Sequence, residues 1–150
     1  MKDLYTNQES VIRVADGESK PGIIGRGVRQ GYPISPLLFS IYAEVMMIEA
    51  LENMDEGIIV GGQVVSDVQF TDDQDMAAST ENGLQNLLNK LNETAKKYNM
   101  EMNDKNTNAV VVCRDGGCIA NIIIDGDKVE QVASFKYLGS IIRLLKMEEA

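Results

Sequence analysis

Two periods of hydrophobic patterning run along the chain, one helical and one extended. The helical period is cleanest between residues 84 and 98, where Leu84, Leu87, Leu88, Leu91, Ala95 and Tyr98 share one face. Thr80 or Ser79 caps that helix, and Lys96 and Lys97 sit near its C-terminus, where cations favour the dipole. A second helix opens at Ser35, a good N-cap, with Pro36 at the first helical position, where its missing N–H costs nothing. The pattern predicts that it runs to about Met54, with Gly57 beyond it as a stop. Apolar residues from Leu37 to Leu51 surround most of its circumference, which predicts burial on several sides. Its Met46-Met47 pair reads as core filling.

The extended period appears in short runs punctuated by turn residues. Met1 to Tyr5 reads as the end of a helix. Ser10–Val14 reads as a strand, Asp16-Gly17 as a turn and Ile23-Ile24 as the return, leading into a glycine-bearing loop from Gly25 to Pro33. Ile58–Val60, a Gly61-Gly62 turn and Val64-Val65 precede a hairpin with Asp72 and Asp73 at its tip. Its return strand, Asp75 to Ser79, is weak because Asp75 sits within it. Further on, Thr107–Cys113, a turn at Asp115-Gly116-Gly117, Ile119–Ile124, a turn at Asp125-Gly126 and the run from Val129 to Gly139 continue the alternation. Two amphipathic helices with several hairpins predict an α+β two-layer sandwich, an antiparallel sheet with two main helices on one face. No repeat, low-complexity tract or linker divides residues 1–150, so one domain is expected.

Charge narrows the function. The chain carries 23 acidic and 14 basic side chains, net −9, and has no Lys or Arg between Gln30 and Asn89. Free-standing nucleic-acid binders are basic, because phosphate neutralisation dominates their affinity. The acidity therefore predicts weak or no nucleic-acid binding by this chain alone, while leaving room for a cation-binding centre or a partner with a positive surface. With no histidine and two cysteines, Cys113 and Cys118, neither a zinc set nor a His-dependent triad can be assembled. Free thiols in a reducing compartment are the default reading of the pair, with a strand-linking disulfide as the alternative. The longest uncharged run, Gly31–Ala43, is too short to span a bilayer, and the N-terminus lacks a signal-peptide core. The expectation is an intracellular soluble protein, nucleus or cytoplasm unresolved, without membrane contact.

The chemistry centres on Phe70-Thr71-Asp72-Asp73-Gln74. Inside a two-residue turn both carboxylates can reach one side and grip a divalent cation; as a bare pair they fit a solvated turn more simply. A calcium loop starting at Asp73 fails, with Ala77 at its fifth position and Leu84 where the bidentate Glu belongs.

Four stretches, taken in order, decide between these readings by resemblance. The first is Gly27-Val28-Arg29-Gln30-Gly31-Tyr32-Pro33-Ile34-Ser35-Pro36-Leu37-Leu38-Phe39, and the second is Phe70-Thr71-Asp72-Asp73. The third is Tyr98–Asn103 with Thr107, and the fourth is Phe135-Lys136-Tyr137-Leu138-Gly139. Together they cover nearly the whole chain and resemble the palm of a reverse transcriptase of the non-LTR, LINE-type retrotransposon kind. The resemblance implies RNA-templated DNA synthesis, joining a primer 3′ hydroxyl to the α-phosphate of a nucleotide with two Mg²⁺ ions. It implies Asp72 and Asp73 as catalytic metal ligands, Arg29, Gln30, Gly31 and Lys105 as nucleotide- or template-binding residues, and Gly139 as primer-binding. RNA template, DNA primer and dNTP are the partners it implies for a complete enzyme.

The same resemblance implies an incomplete palm. The strand carrying the family's further metal-binding aspartate, and the fingers, are expected before residue 1, and the thumb after Ile142. This chain alone is then expected not to polymerise. Tyr32 stands where the family usually has a smaller residue, Thr71 replaces a small apolar one, and Gln74-Asp75 replaces an apolar strand. Asn106 occupies the usual lysine position, with Lys105 one place earlier. These departures resemble a decayed or truncated copy. The competing expectation is a non-catalytic remnant that binds proteins through an open sheet edge.

Overall fold

Local turn chemistry accounts for most of the secondary structure. The computed structural model describes residues 6–25, 27–113 and 117–143. The helix end expected at Met1–Tyr5, and Asp115-Gly116 of one expected turn, lie outside them. The chain divides into two units, Met1–Ala43 and Glu44–Ala150.

In the first unit, β1 (Gln8–Ser10) pairs antiparallel with β4 (Gly22–Ile24), enclosing a smaller hairpin of β2 (Arg13–Val14) and β3 (Gly17–Glu18). The strand expected over Ser10–Val14 is interrupted at Val11-Ile12, where the Ile12 amide donates to the Ser19 hydroxyl at 2.9 Å. Ala15-Asp16 makes the inner turn, one residue earlier than expected, because Val14 pairs directly with Gly17. Helix α1 then spans Ser35–Leu51. It stops short of Met54, and Asn53 just beyond it adopts φ 61°, a left-handed conformation that Asn tolerates. Gly57 has a different task from the stop expected of it. A Cβ there would meet Val64 Cγ1 at 2.5 Å and the Val65 carbonyl oxygen at 2.9 Å, so only glycine permits the approach.

The second unit continues with β5 (Ile58–Val60), β6 (Gln63–Val65), β7 (Asp67–Phe70) and β8 (Asp73–Met76). Helix α2 (Glu81–Lys97) follows, and Thr80 caps it by accepting a hydrogen bond from the Gly83 amide at 3.0 Å. After a 3₁₀ turn at Asp104–Asn106 come β9 (Asn108–Ala109), β10 (Ile123–Ile124), β11 (Asp127–Lys128) and β12 (Glu130–Gln131). The longer strands expected over Thr107–Cys113 and Ile119–Ile124 are thus cut to two residues each. A side chain takes over part of the missing ladder, as Gln131 accepts from the Ala120 amide at 3.0 Å and donates to the Cys118 carbonyl at 2.8 Å. The last hairpin is β13 (Ser134–Tyr137) with β14 (Ser140–Arg143).

Helix α2 supplies the centre of the core. One side places Leu91 and Ala95 against Met46, Met47 and Ala50 of α1, so the methionine pair does fill the core. The next side places Leu88 against Ala109, Ala120, Ile122, Ile124 and Val129. Helix α1 is less enclosed than its composition suggests: Leu37, Ile41, Val45 and Ile48 are exposed, Ile48 by 63%. An apolar circumference permits burial on every side but supplies no partner for each side.

A polar edge of α2 runs along residues 121–125. Glu81 accepts from the Asn121 amide at 3.2 Å, and the Gln85 side-chain amide both donates to the Ile123 carbonyl (2.7 Å) and accepts from its N–H (2.8 Å). Lys96, and after it Asn92, close on the Asp125 carboxylate and hold it below the usual carboxylate range. Backbone groups that no strand pairs are thus satisfied by side chains. Helices α1 and α2 are also tied by Glu49, which accepts from the Tyr98 hydroxyl at 2.8 Å and pairs with Lys97 at 3.4 Å.

The fold is therefore α+β, but among the described residues the strands form seven two-stranded ribbons rather than one sheet, and β9–β12 is parallel. Tight turns explain the local pairing: Gly61-Gly62, Asp125-Gly126 and Leu138-Gly139 each have two positive φ angles, the form that matches hairpin twist. Such turns specify their own hairpin and nothing about its neighbours. The two cysteines, expected as free thiols, are joined as a Cys113–Cys118 disulfide, their Cα atoms 6.3 Å apart and so within bridging range. No helix among the described residues is long and apolar enough to cross a membrane.

Candidate functional site

The β7–β8 hairpin pairs Phe70 with Asp73 and Val68 with Asp75. Thr71-Asp72 is thus its two-residue turn, and Asp73 begins the return strand. The expected placement of both carboxylates inside the turn is corrected by one residue, and the return strand starts at Asp73 instead of Asp75. Directly opposed residues share a face, so Asp73 and Asp75 lie on one side with Phe70 and Val68. The other side carries Met76, which packs against both apolar clusters and anchors the hairpin.

Asp72 and Asp73 are exposed. Thr71 takes φ 55°, costly for a β-branched side chain by about 1–2 kcal/mol. Its hydroxyl donates to Asp72 Oδ1 at 2.9 Å, which orients that carboxylate. Burial, and secondarily the Asp73 charge, hold the Asp75 carboxyl above its usual range. Burial likewise raises the Tyr137 hydroxyl, followed by the charges of Asp75 and Asp73. The hairpin that carries Gly139 in its turn, where φ is 84°, is therefore within electrostatic reach of the acidic face through Tyr137. Sequence pattern alone makes Asp75 a mere departure from an apolar strand; its two-residue spacing from Asp73 is the signal that puts it on the acidic face.

Lys105 is exposed in the 3₁₀ turn and edges a cleft of about 250 Å³ with Thr107, Asp127, Lys128, Val129 and Glu130. None of the residues lining that cleft comes from the β7–β8 hairpin.

In the other unit, Arg29, Gln30 and Gly31 occupy an exposed loop held from within. The Arg29 carbonyl accepts from the Tyr32 amide at 3.3 Å and from the buried Ser35 hydroxyl at 2.6 Å. Ser35 is itself the first helical residue, and its hydroxyl reaches back to brace the loop. Gly31, at φ 84°, takes the left-handed turn.

Oxygen-only donors suit a hard divalent cation. Among the described residues no group of three or more His, Cys, Asp or Glu side chains forms a metal cage. The exposed carboxylates of Asp72, in the turn, and Asp73, at the start of the return strand, are adjacent in the chain.

The arrangement is an α+β chain with adjacent exposed carboxylates, Asp72 in a hairpin turn and Asp73 opening its return strand. Residues 1–142 match the family model described as reverse transcriptase (RNA-dependent DNA polymerase), and the chain belongs to that family. It is 27% identical over 113 residues to the Retrovirus-related Pol polyprotein from type-1 retrotransposable element R2 of Nasonia vitripennis, covering 75% of this chain and 11% of that protein. It is 27% identical over 119 residues to the RNA-directed DNA polymerase from mobile element jockey of Drosophila melanogaster, covering 77% of this chain and 13% of that protein. The resemblance to non-LTR reverse transcriptases therefore holds, for a chain that spans only 11% and 13% of those relatives' length.

Proposed function

We propose that this chain is the hairpin-bearing part of the palm of a non-LTR reverse transcriptase, working inside the cell in RNA-directed DNA synthesis. Family membership and the exposed Asp72–Asp73 pair support the reading, and the pair is the single observation that carries it. In this reading Asp72 and Asp73 would hold Mg²⁺, which would neutralise phosphate charge and lower the pKa of the primer hydroxyl. The primer hydroxyl gives up its proton to solvent as its oxygen bonds to the α-phosphorus and the bond to pyrophosphate breaks. Arg29, Gln30, Gly31 and Lys105 contact nucleotide or template, and Gly139 supports the primer. The ribbons of the second unit belong to a two-layer palm sandwich completed by strands from the rest of the enzyme.

On this account the chain alone is inactive, because two carboxylates supply half the charge that two divalent cations carry. The test mixes the chain with the N-terminal half of a family member and assays templated incorporation with Mg²⁺. Incorporation that disappears in Asp72→Ala supports the proposal. Incorporation that survives it, or none from the mixture, counts against it.

A further inference from the structure

Tyr32 lies in the exposed loop that carries Arg29, and its contacts give it a task. The Arg29 guanidinium carbon lies 5.0 Å from the Tyr32 ring centroid, and Arg29 Nη1 donates to the Tyr32 hydroxyl at 3.2 Å. The backbone reinforces the pair, with the Tyr32 amide and the Ser35 hydroxyl both donating to the Arg29 carbonyl. Ser35 is 4% exposed and fixed at the start of α1, so the brace connects the loop to a helix. A free arginine side chain loses rotamer freedom when it engages a ligand. Here an aromatic face and a phenol oxygen restrain it beforehand, while a guanidinium has five N–H donors and only one is used by the phenol.

We propose that Tyr32 is a positioning residue that preorganises Arg29 to receive a phosphate, from either the nucleic-acid backbone or a nucleotide triphosphate. This rests on the reading of the loop as a nucleotide or template contact, and adds the residue that sets its geometry. Restraint by stacking and one hydrogen bond favours the bound arrangement without itself touching the phosphate.

The experiment measures binding of an RNA–DNA template–primer duplex, and separately of a dNTP, to the chain mixed with the N-terminal half of a family member, because the acidic chain alone is expected to bind nucleic acid weakly. The proteins are wild type, Tyr32→Phe, Tyr32→Ala, Arg29→Ala and the double variant. Tyr32→Ala is expected to weaken binding of the relevant ligand by about two- to fivefold, with Tyr32→Phe intermediate. In the Arg29→Ala background, Tyr32→Ala is expected to add nothing. An equal further loss in that background overturns the proposal, because Tyr32 would then act independently of Arg29. A second readout is the order of the Arg29 Nε–Hε group by NMR in the free chain, expected to fall in Tyr32→Ala; unchanged order also overturns it. If Arg29→Ala binds as wild type, the reading of the loop fails and takes the proposal with it, and the Nε–Hε order then separates that failure from failure of the clamp.

Discussion

Gln85 presents a backbone-like donor and acceptor to Ile123, and a side-chain amide does both at neutral pH. Gln85→Ala removes three hydrogen bonds, two with Ile123 and one donated to Asn89 Oδ1 at 2.8 Å, worth about 0.5–1.5 kcal/mol each, and partial exposure lets water replace much of that, leaving a loss of about 1–2 kcal/mol. Gln85→Glu is more diagnostic. At neutral pH its carboxylate keeps the bond from the Ile123 N–H but faces the Ile123 carbonyl without a proton to donate, a loss of about 1–2 kcal/mol. The protonated acid restores both bonds with Ile123 but not the one to Asn89, an exposed group that water satisfies instead. The folded state therefore raises the pKa of the introduced Glu above its unfolded value. The penalty is full above the folded pKa and closes as pH falls through it. Urea unfolding at about pH 7 is expected to show a midpoint lower by about 0.5–1 M for the Glu variant. At about pH 4 the gap from wild type should shrink to a small fraction of that. A Glu variant as stable as wild type at neutral pH, or a gap unchanged in acid, would refute the reasoning.

Three further outcomes follow from the same physics. Thr94 is fully buried and its hydroxyl has no hydrogen-bond partner among the described residues, so Thr94→Val should be neutral or stabilising by about 1 kcal/mol in urea unfolding. Asp75→Asn should stabilise the fold near neutral pH, because the raised folded pKa makes the ionised form unfavourable there; the advantage should fade as pH falls through that pKa, in paired melts across pH. Thr71→Asn should raise stability by about 1 kcal/mol by relieving the left-handed threonine, read from the denaturation midpoint.

Legibility in the sequence is chiefly local. Thr80, Leu87, Leu88, Leu91 and Ala95 mark α2 and its buried face because capping and the helical period leave direct traces. Gly61-Gly62 and Asp125-Gly126 likewise announce their turns. Anything set by a distant partner is harder to read. Gly57 resembles a helix stop but serves the approach of Val64, and the apolar circumference of α1 conceals its exposed residues. At the hairpin, Asp72 and Asp73 are visible as a pair, yet the register that puts Asp72 in the turn and Asp73 in the strand depends on Phe70 pairing with Asp73. The bracing of Arg29 by Tyr32 and Ser35 likewise depends on loop geometry that no period encodes.

The most direct test of the carboxylate hairpin as a metal site is a titration of the isotope-labelled chain with paramagnetic Mn²⁺, following backbone amide signals. If the hairpin binds the cation, Thr71, Asp72 and Asp73 broaden first and Asp72→Asn removes this selectivity. Broadening that begins at other acidic positions, such as Asp125 and Asp127, while the hairpin stays sharp would contradict it.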